Sequence, residues 1–286
     1  MRAASTILVR LLRHRRGTLG GLAVAIMVLA GLLAPLVAPY SYSTQSLLHR
    51  LQPPGPQHWL GTDGFGRDIL SRMIWGSRVS LEIGVAATLL SLAVGTMVGS
   101  AAGYFQGHVD TALMRLADVF MSVPALFLIL IVVALFGASL ANTTLVIALV
   151  TWAQVARVVR SECLSLTTRE FVHAAHALGA SHLRVLGRHL LLNAAPVLIV
   201  QATLLLGQTI LLESGLSYLG LGAQPPLPSW GNMVVEGRQF LGSAWWNATF
   251  PGLAIFVTVL GFNVFGDGLR DALDPTLIST DKEDRR

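Results

Sequence analysis

The sequence predicts an all-α polytopic membrane protein with about six transmembrane helices. Of its 286 residues, 53% are hydrophobic and only 12% are charged, whereas soluble domains carry about 25% charged residues. Several uncharged runs reach the roughly 20 residues that a helix needs to cross a bilayer. With six spans and the N-terminus inside, fifteen of the twenty lysines and arginines fall on the inner side. This asymmetry predicts that both termini are cytoplasmic.

The first predicted span covers residues 18–40, after a basic cytoplasmic segment at residues 1–17. Its apolar core from Leu19 to Ala38 has 20 residues, which suits a full span better than the shorter apolar region of a signal peptide. A signal peptide is the alternative, because basic residues before an apolar stretch fit both. We interpret the segment as a retained first helix.

The second predicted span covers residues 83–105, which carry no charge. Small residues recur in it at every fourth position: Ala87, Ser91, Gly95, Gly99 and Gly103. This spacing places them on nearly one face of a helix, where small side chains allow another helix to approach closely.

The remaining predicted spans come from three further uncharged runs. Residues 119–156 are too long for one helix and supply a third and a fourth span, with the break near Gly137. Pro124 should kink the third span near its start. Residues 190–212 and 250–266 make the fifth and the sixth spans.

A polar segment, residues 163–192, separates the fourth span from the fifth. It is rich in arginine and histidine, and its small residues cluster around Gly179. We predict two short helices joined at Gly179, since glycine permits a sharp bend and a close approach of another backbone. Such a basic inside loop is either an ordinary connector or a docking element.

Ala174, Ala175 and Gly179 fall on the pattern Glu-Ala-Ala, three residues, Gly. The segment therefore resembles the EAA coupling loop of permease subunits of ABC importers, although His173 stands where the pattern has glutamate. The resemblance implies the type I importer permease fold and a loop that grips a cytoplasmic ATPase. The candidate coupling residues are Glu170, His173, Ala174, Ala175, Gly179, Ala180, Ser181 and Arg184.

Two predicted extracytoplasmic segments carry further resemblance. Residues 41–77 contain LGTDGFGRD, similar to the LGTD-x-x-GRD signature of the peptide/nickel importer permeases. Residues 213–249, predicted as an outer lid with interfacial aromatics, contain LSYLGLGAQPPLPSWG, which is similar to a second motif of that family. The candidates for contact with a binding protein are Asp63, Arg67, Asp68, Pro225, Pro226 and Trp230. The three charged residues have a simpler role as well, in neutralising one another and bonding backbone amides.

The resemblance runs from about His58 to Pro275, within a predicted core of residues 78–275 followed by a cytoplasmic tail at 276–286. It implies a non-catalytic permease of a bacterial cytoplasmic (inner) membrane that imports peptides, with nickel or glutathione as alternatives. The implied partners are a homologous permease, two cytoplasmic ATP-binding subunits, an extracytoplasmic solute-binding protein and membrane lipid, with no nucleic acid.

Several chemistries find no support in the sequence. Lys282 is the single lysine, so no Walker A motif exists. The loop histidines are too widely spaced for a metal site, since only His173 and His176 share a helix face, and we expect no cofactor. The competing class is a stand-alone secondary transporter, which should show internal repeats or ionisable residues in mid-span. The predicted spans carry their charges at the ends.

Overall fold

The computed structural model describes residues 15–273, and the regular structure of this part of the chain is helical. The helices are α1 Arg15–Leu32, α2 Ile69–Phe105, α3 Gly107–Ser122, α4 Ala125–Phe136, α5 Leu140–Thr167, α6 Glu170–Ala177, α7 His182–Tyr218, α8 Trp230–Arg238 and α9 Trp246–Leu273. A single helical turn, Ala34–Val37, follows α1, and a 3₁₀ turn, Leu47–His49, lies in the first long loop. Most of the predicted segment 1–17 and the whole tail 276–286 lie outside the described residues.

The described helices confirm the all-α polytopic class. Four of them, α2, α5, α7 and α9, are long and apolar enough to cross a membrane, and α3 with α4 forms a candidate fifth span bent by 84°. The bend falls at Pro124, so the predicted kink is a full break between two helices. The predicted first span is the shorter apolar helix α1, which packs along α9.

The small-residue face of α2 packs along α5, in the most extensive helix pair of the described structure. All five residues of the predicted face are buried. A β-carbon at Gly95 would lie 2.5 Å from Cβ of Val155, so the glycine is required for this separation. Ser91 adds a hydrogen bond of 2.6 Å to the hydroxyl of Thr151. The predicted packing face is confirmed.

Three predicted boundaries are wrong because charged residues lie inside helices. Residues 69–77 were predicted as loop, but they form the first turns of α2, and Asp68 caps this helix by accepting the Ser71 N–H at 2.8 Å. The fifth span extends beyond 190–212 on both sides, from His182 to Tyr218. The sixth continues past its predicted end at 266, through Asp267 and Arg270, to Leu273, and it also begins earlier, at Trp246 rather than at 250. The outer segment between α7 and α9 is therefore shorter than the predicted 213–249.

The long helix α2 connects the two ends of the bundle. Its 37 residues extend about 55 Å at 1.5 Å per residue. We call the end at its N-terminus the lid end, where residues 38–68 pack against residues 219–245, the lid. We call the other end the coupling end, where Tyr104 contacts residues 176 and 182. The two ends contain the two groups of predicted site residues.

We predict that Gly95→Val destabilises the protein, because the new side chain has to separate α2 from α5. Overpacking of this kind costs about 1–3 kcal/mol. The matched control is Gly252→Val in α9, where a β-carbon meets no atom within 4 Å. Thermal unfolding in detergent should show a clear loss of melting temperature for the first variant and little change for the second. Equal effects would mean that the α2–α5 contact is not tight.

Candidate functional site

The coupling end has the two short helices that the sequence predicts. The first, α6, ends at Ala177, and α7 begins at His182. Gly179 between them has φ +78°, in the left-handed region that glycine adopts without strain. Its N–H donates to the carbonyl oxygen of His176 at 2.9 Å, and the N–H of Ala180 donates to that of Ala175 at 3.0 Å. These bonds close the end of α6 and fix the turn that follows it. We call α6, this turn and the first residues of α7, up to Leu190, the knuckle.

The inner face of the knuckle is a small apolar cluster. Val172 and Ala175 of α6 pack with Val185 and Leu190 of α7. Ala175, one of the candidate coupling residues, is only 7% exposed, so it contributes to the inside of the knuckle rather than to its surface. It helps instead to hold the two short helices together.

The outer face of the knuckle is exposed and partly apolar. Leu178 is 88% exposed and Leu183 is 83% exposed, and both lie beside Gly179, where a β-carbon would meet no atom within 4 Å. Sequence reasoning missed both leucines. The spacing of Val172, Ala175 and Leu178 suggests one buried stripe, but α6 ends before Leu178 and the glycine turn directs the chain outward.

The other predicted coupling residues surround these leucines. Ala180 is half-buried, and the rest are exposed: Glu170, His173, Ala174, Ser181 and Arg184. Together with Leu178, Gly179 and Leu183 we call them the coupling surface. It combines small residues, two aliphatic side chains and a basic flank, which is a composition suited to another protein's surface.

Tyr104 at the end of α2 attaches the knuckle to the bundle. Its hydroxyl is 2.7 Å from Nδ1 of His182 and 3.2 Å from Nε2 of His176. His176 and His182 lie on different helices, and only the fold around Gly179 brings both of them to Tyr104, so their spacing in the sequence did not indicate this contact. Within residues 15–273, no group of three histidine, cysteine or acidic side chains is arranged to hold a metal ion.

At the lid end, four charged side chains form an ion-pair cluster, in which Asp63, Arg67 and Arg72 are buried and the side chain of Glu236 is 32% exposed. Arg67 donates from Nε to Oδ2 of Asp63 at 2.6 Å and from Nη2 to Oε2 of Glu236 at 2.7 Å. Arg72 bonds the same two carboxylates. Two cations and two anions balance, as a buried cluster requires. The cluster ties the first loop to α8.

Asp63 and Asp68 also organise the backbone of the first loop. The Oδ1 atom of Asp63 accepts the N–H groups of Phe65 and Arg67. Asp68 accepts from Ser71 and lies 2.9 Å from Nδ1 of His58. Asp63, Arg67 and Asp68 are at most 6% exposed, and the expected mutual neutralisation and bonding of backbone amides are present.

The lid differs from its prediction at Trp230. We expected this side chain at headgroup depth, but it is 1% exposed, and its Nε1–H donates to the carbonyl oxygen of Met73 at 3.1 Å. It anchors the start of α8 in α2. Pro225 and Pro226 are exposed as a surface role requires. Glu236 was missed, because its arginine partners are more than 160 residues away in sequence.

We predict that Asp63→Ala strongly destabilises the first loop. Removing Asp63 leaves two buried arginines with Glu236 as their one remaining carboxylate, and loss of a partner from a buried ion pair costs about 3–5 kcal/mol. The matched control is Asp118→Ala, whose partner Arg157 is about half-exposed, because an exposed ion pair contributes only about 0–1 kcal/mol. Limited proteolysis at residues 41–62 should accelerate in the first variant alone. Similar protection in both would contradict a structural role for the cluster.

The two ends define a class of protein: a helical membrane subunit with an exposed docking knuckle at one end and a closed, internally neutralised lid at the other. The family profile described as binding-protein-dependent transport system inner membrane component matches residues 95–279. A profile for the N-terminal transmembrane domain of oligopeptide transport permease C matches residues 5–54.

Curated relatives agree with these profiles. The chain is 42% identical to a dipeptide transport system permease protein of Alkalihalophilus pseudofirmus, covering 94% of this chain and 89% of the relative. It is 43% identical to a nickel transport system permease protein of Escherichia coli, covering 90% and 92%. It is 40% identical to a glutathione transport system permease protein of Pectobacterium atrosepticum, covering 94% and 90%.

A solved structure shares the fold. The MetNI methionine ABC transporter, in inward-facing conformations, matches with a TM-score of 0.60 and 16% identity over 71% of this chain and 96% of that chain. The chain belongs to the binding-protein-dependent transport system inner membrane component family. It is a permease subunit of a type I ABC importer, a non-catalytic multi-pass protein of the inner membrane, as its motifs predicted.

Proposed function

We propose that this chain and a homologous permease together form the translocation pathway of an importer for short peptides. Two cytoplasmic ATP-binding subunits drive the importer, and an extracytoplasmic solute-binding protein supplies it. The observation that supports this proposal most directly is the exposed coupling surface around Gly179.

The coupling surface has the chemistry of a protein interface. Leu178, in the turn after α6, and Leu183, in the first turn of α7, expose apolar side chains among exposed polar residues, and such groups normally mark a contact when they cluster. Ala174 and Gly179 leave room for a partner to approach the backbone. An ATP-binding subunit that covers this surface would bury both leucines and place its own acidic groups near Arg184.

The distribution of charge supports a cytoplasmic coupling end. Arginines concentrate at this end of the bundle: Arg115, Arg157, Arg160, Arg169, Arg184 and Arg188. At the lid end, Arg67 and Arg72 are already neutralised by Asp63 and Glu236. At the coupling end Arg157 and Arg160 are likewise paired, with Asp118 and Asp110, so the orientation rests on the number of cations rather than on net charge. Fifteen of the twenty lysines and arginines fall on the side of the coupling end in the six-span topology, and the positive-inside rule assigns that side to the cytoplasm.

Peptides are the proposed solutes, because two of the three relatives described above are named for a dipeptide or for glutathione, itself a tripeptide. Nickel is the second candidate, since the nickel permease is equally similar at 43% identity. Uptake of a radiolabelled dipeptide and of radioactive nickel, by cells that express the complete importer, separates the two. Peptide uptake without nickel uptake is the expected result.

The helix α7 gives the proposed coupling a mechanical basis. It begins at His182 within the coupling surface and continues to Tyr218 at the lid end. Closure of the ATP-binding subunits would move the knuckle, and α7 would carry that movement across the membrane. A differential affinity of a few kcal/mol between the two states is enough to switch a balanced permease.

We predict that Gly179→Arg weakens binding of the ATP-binding subunits while the spans still insert. Any β-carbon at φ +78° is strained by about 1–2 kcal/mol, and the long side chain adds steric exclusion at the interface. Gly179→Ala carries the strain alone, and Gly242→Arg places the same side chain in open space at the lid end. Co-purification of the subunits and peptide uptake should fall steeply only in Gly179→Arg. Normal assembly and uptake in that variant would show that the loop is only a connector.

We predict opposite accessibility for two exposed positions. Leu48, 92% exposed at the lid end, is the outer reporter, and Leu178, 88% exposed at the coupling end, is the inner reporter. Each is changed to cysteine in a Cys163→Ser background. The permease is expressed without its ATP-binding subunits, which would cover position 178. An impermeant maleimide applied to spheroplasts should label position 48 and spare position 178 until the spheroplasts are lysed. The reverse pattern would overturn the proposed orientation.

A further inference from the structure

Glu213 is a buried carboxyl group in the last turns of α7. It is fully buried, and no ion pair to it occurs among residues 15–273. A buried carboxyl group is costly unless hydrogen bonds replace its water. Its neighbours therefore indicate what it does for the structure.

Hydroxyl groups from three elements meet at this carboxyl group. Ser217 of α7 donates to Oε1 at 2.6 Å, and Ser80 of α2 donates to Oε2 at 3.1 Å. Ser229 donates to the Ser217 hydroxyl at 3.1 Å, and its own oxygen accepts the N–H of Asn232 at the start of α8. One carboxyl group thus joins two transmembrane helices to the first turn of the lid helix.

The lid lies directly on this junction. A β-carbon at Gly231 would lie 2.5 Å from the carbonyl oxygen of Ser214 and 2.7 Å from Cβ of Ser217. Ala223 of the lid is 2% exposed and packs in a cluster with Val79 of α2. These contacts hold the lid closed over the ends of α2 and α7.

A junction of this kind favours two discrete states, a closed dry one and an open hydrated one, over a range of intermediate positions of α7 against α2. If α7 shifted against α2 while the site stayed dry, Glu213 would lose a hydrogen bond without gaining water, which is unfavourable. The alternative is separation of the lid with entry of water, which solvates the carboxyl group and the serines together. Packed interfaces of this type switch between discrete arrangements.

We propose that Glu213 is a positioning residue that latches the lid to α2 and α7, and that movement of α7 releases it. The release step rests on the proposed function, because the movement begins at the coupling surface, where α7 starts. The latch itself depends only on the hydrogen bonds of Ser80 and Ser217 to the carboxyl group and of Ser229 to the Ser217 hydroxyl.

The test uses the purified importer with Ala223→Cys as a reporter under the lid, in a Cys163→Ser background. Without nucleotide, Glu213→Leu should raise the rate of maleimide labelling at position 223 by about tenfold or more, because the lid opens locally. Glu213→Gln keeps the size and a carbonyl acceptor, and should restore slow labelling and uptake. Glu82→Leu, at an exposed carboxylate of α2, should label as slowly as the parent.

Ser80→Ala removes only the donor from α2 and provides a milder variant if Glu213→Leu fails to assemble. It should also accelerate labelling, and unchanged labelling in an assembled Ser80→Ala importer would overturn the latch. Rapid labelling in Glu213→Gln would equally contradict it.

A nucleotide-bound state that traps the ATP-binding subunits closed should accelerate labelling in the parent. If labelling of the parent does not accelerate with nucleotide while the variants behave as expected, the proposed release through α7 is wrong and the proposed latch at Glu213 still holds.

Discussion

The close contact of α2 with α5 is the constraint on which the rest of the structure depends. Lipid tails are as apolar as leucine, so helices in a membrane gain little from hydrophobic burial and associate through tight packing. Gly95, Gly99 and Gly103 provide that packing, because a side chain at any of them would overlap α5. Since α2 extends the full height of the bundle, its contact with α5 also fixes where both ends of the molecule lie.

The two ends use polar residues in opposite ways. At the lid end, Asp63, Arg67, Arg72 and Glu236 neutralise one another inside the protein. At the coupling end the arginines of the loop remain exposed beside Leu178. The first arrangement stabilises the permease by itself, whereas the second leaves a surface that another protein can cover. The pairing of charges therefore distinguishes a part of the permease that is structurally complete from a surface that is available to a partner.

The sequence predicted the features that depend on local spacing. The four-residue repeat on α2, the break at Pro124 and the bend at Gly179 are each set by a few neighbouring residues. Glycine and proline act through their own backbone preferences, so their effects can be inferred before the fold is known.

The missed features depend on residues that are distant in sequence. Arg72 was placed in the first loop, residues 41–77, because its charge is visible in the sequence, whereas no local pattern connects it to Glu236, which neutralises it. Glu213 was placed at the start of the outer segment because its charge is visible in the sequence, whereas its partner Ser80 lies on another helix and Ser229 is linked to it only through Ser217. Trp230 looked interfacial for the same reason. Charge marks the end of a span only when no distant group compensates it.

Site-specific photocrosslinking from both ends of the permease tests the central claim most directly. A photoreactive amino acid would replace Leu178 in one sample of the intact importer and Leu48 in another, both in native membranes. The account predicts that position 178 crosslinks to an ATP-binding subunit and that position 48 does not. Crosslinks to that subunit from position 48, with none from position 178, would contradict it.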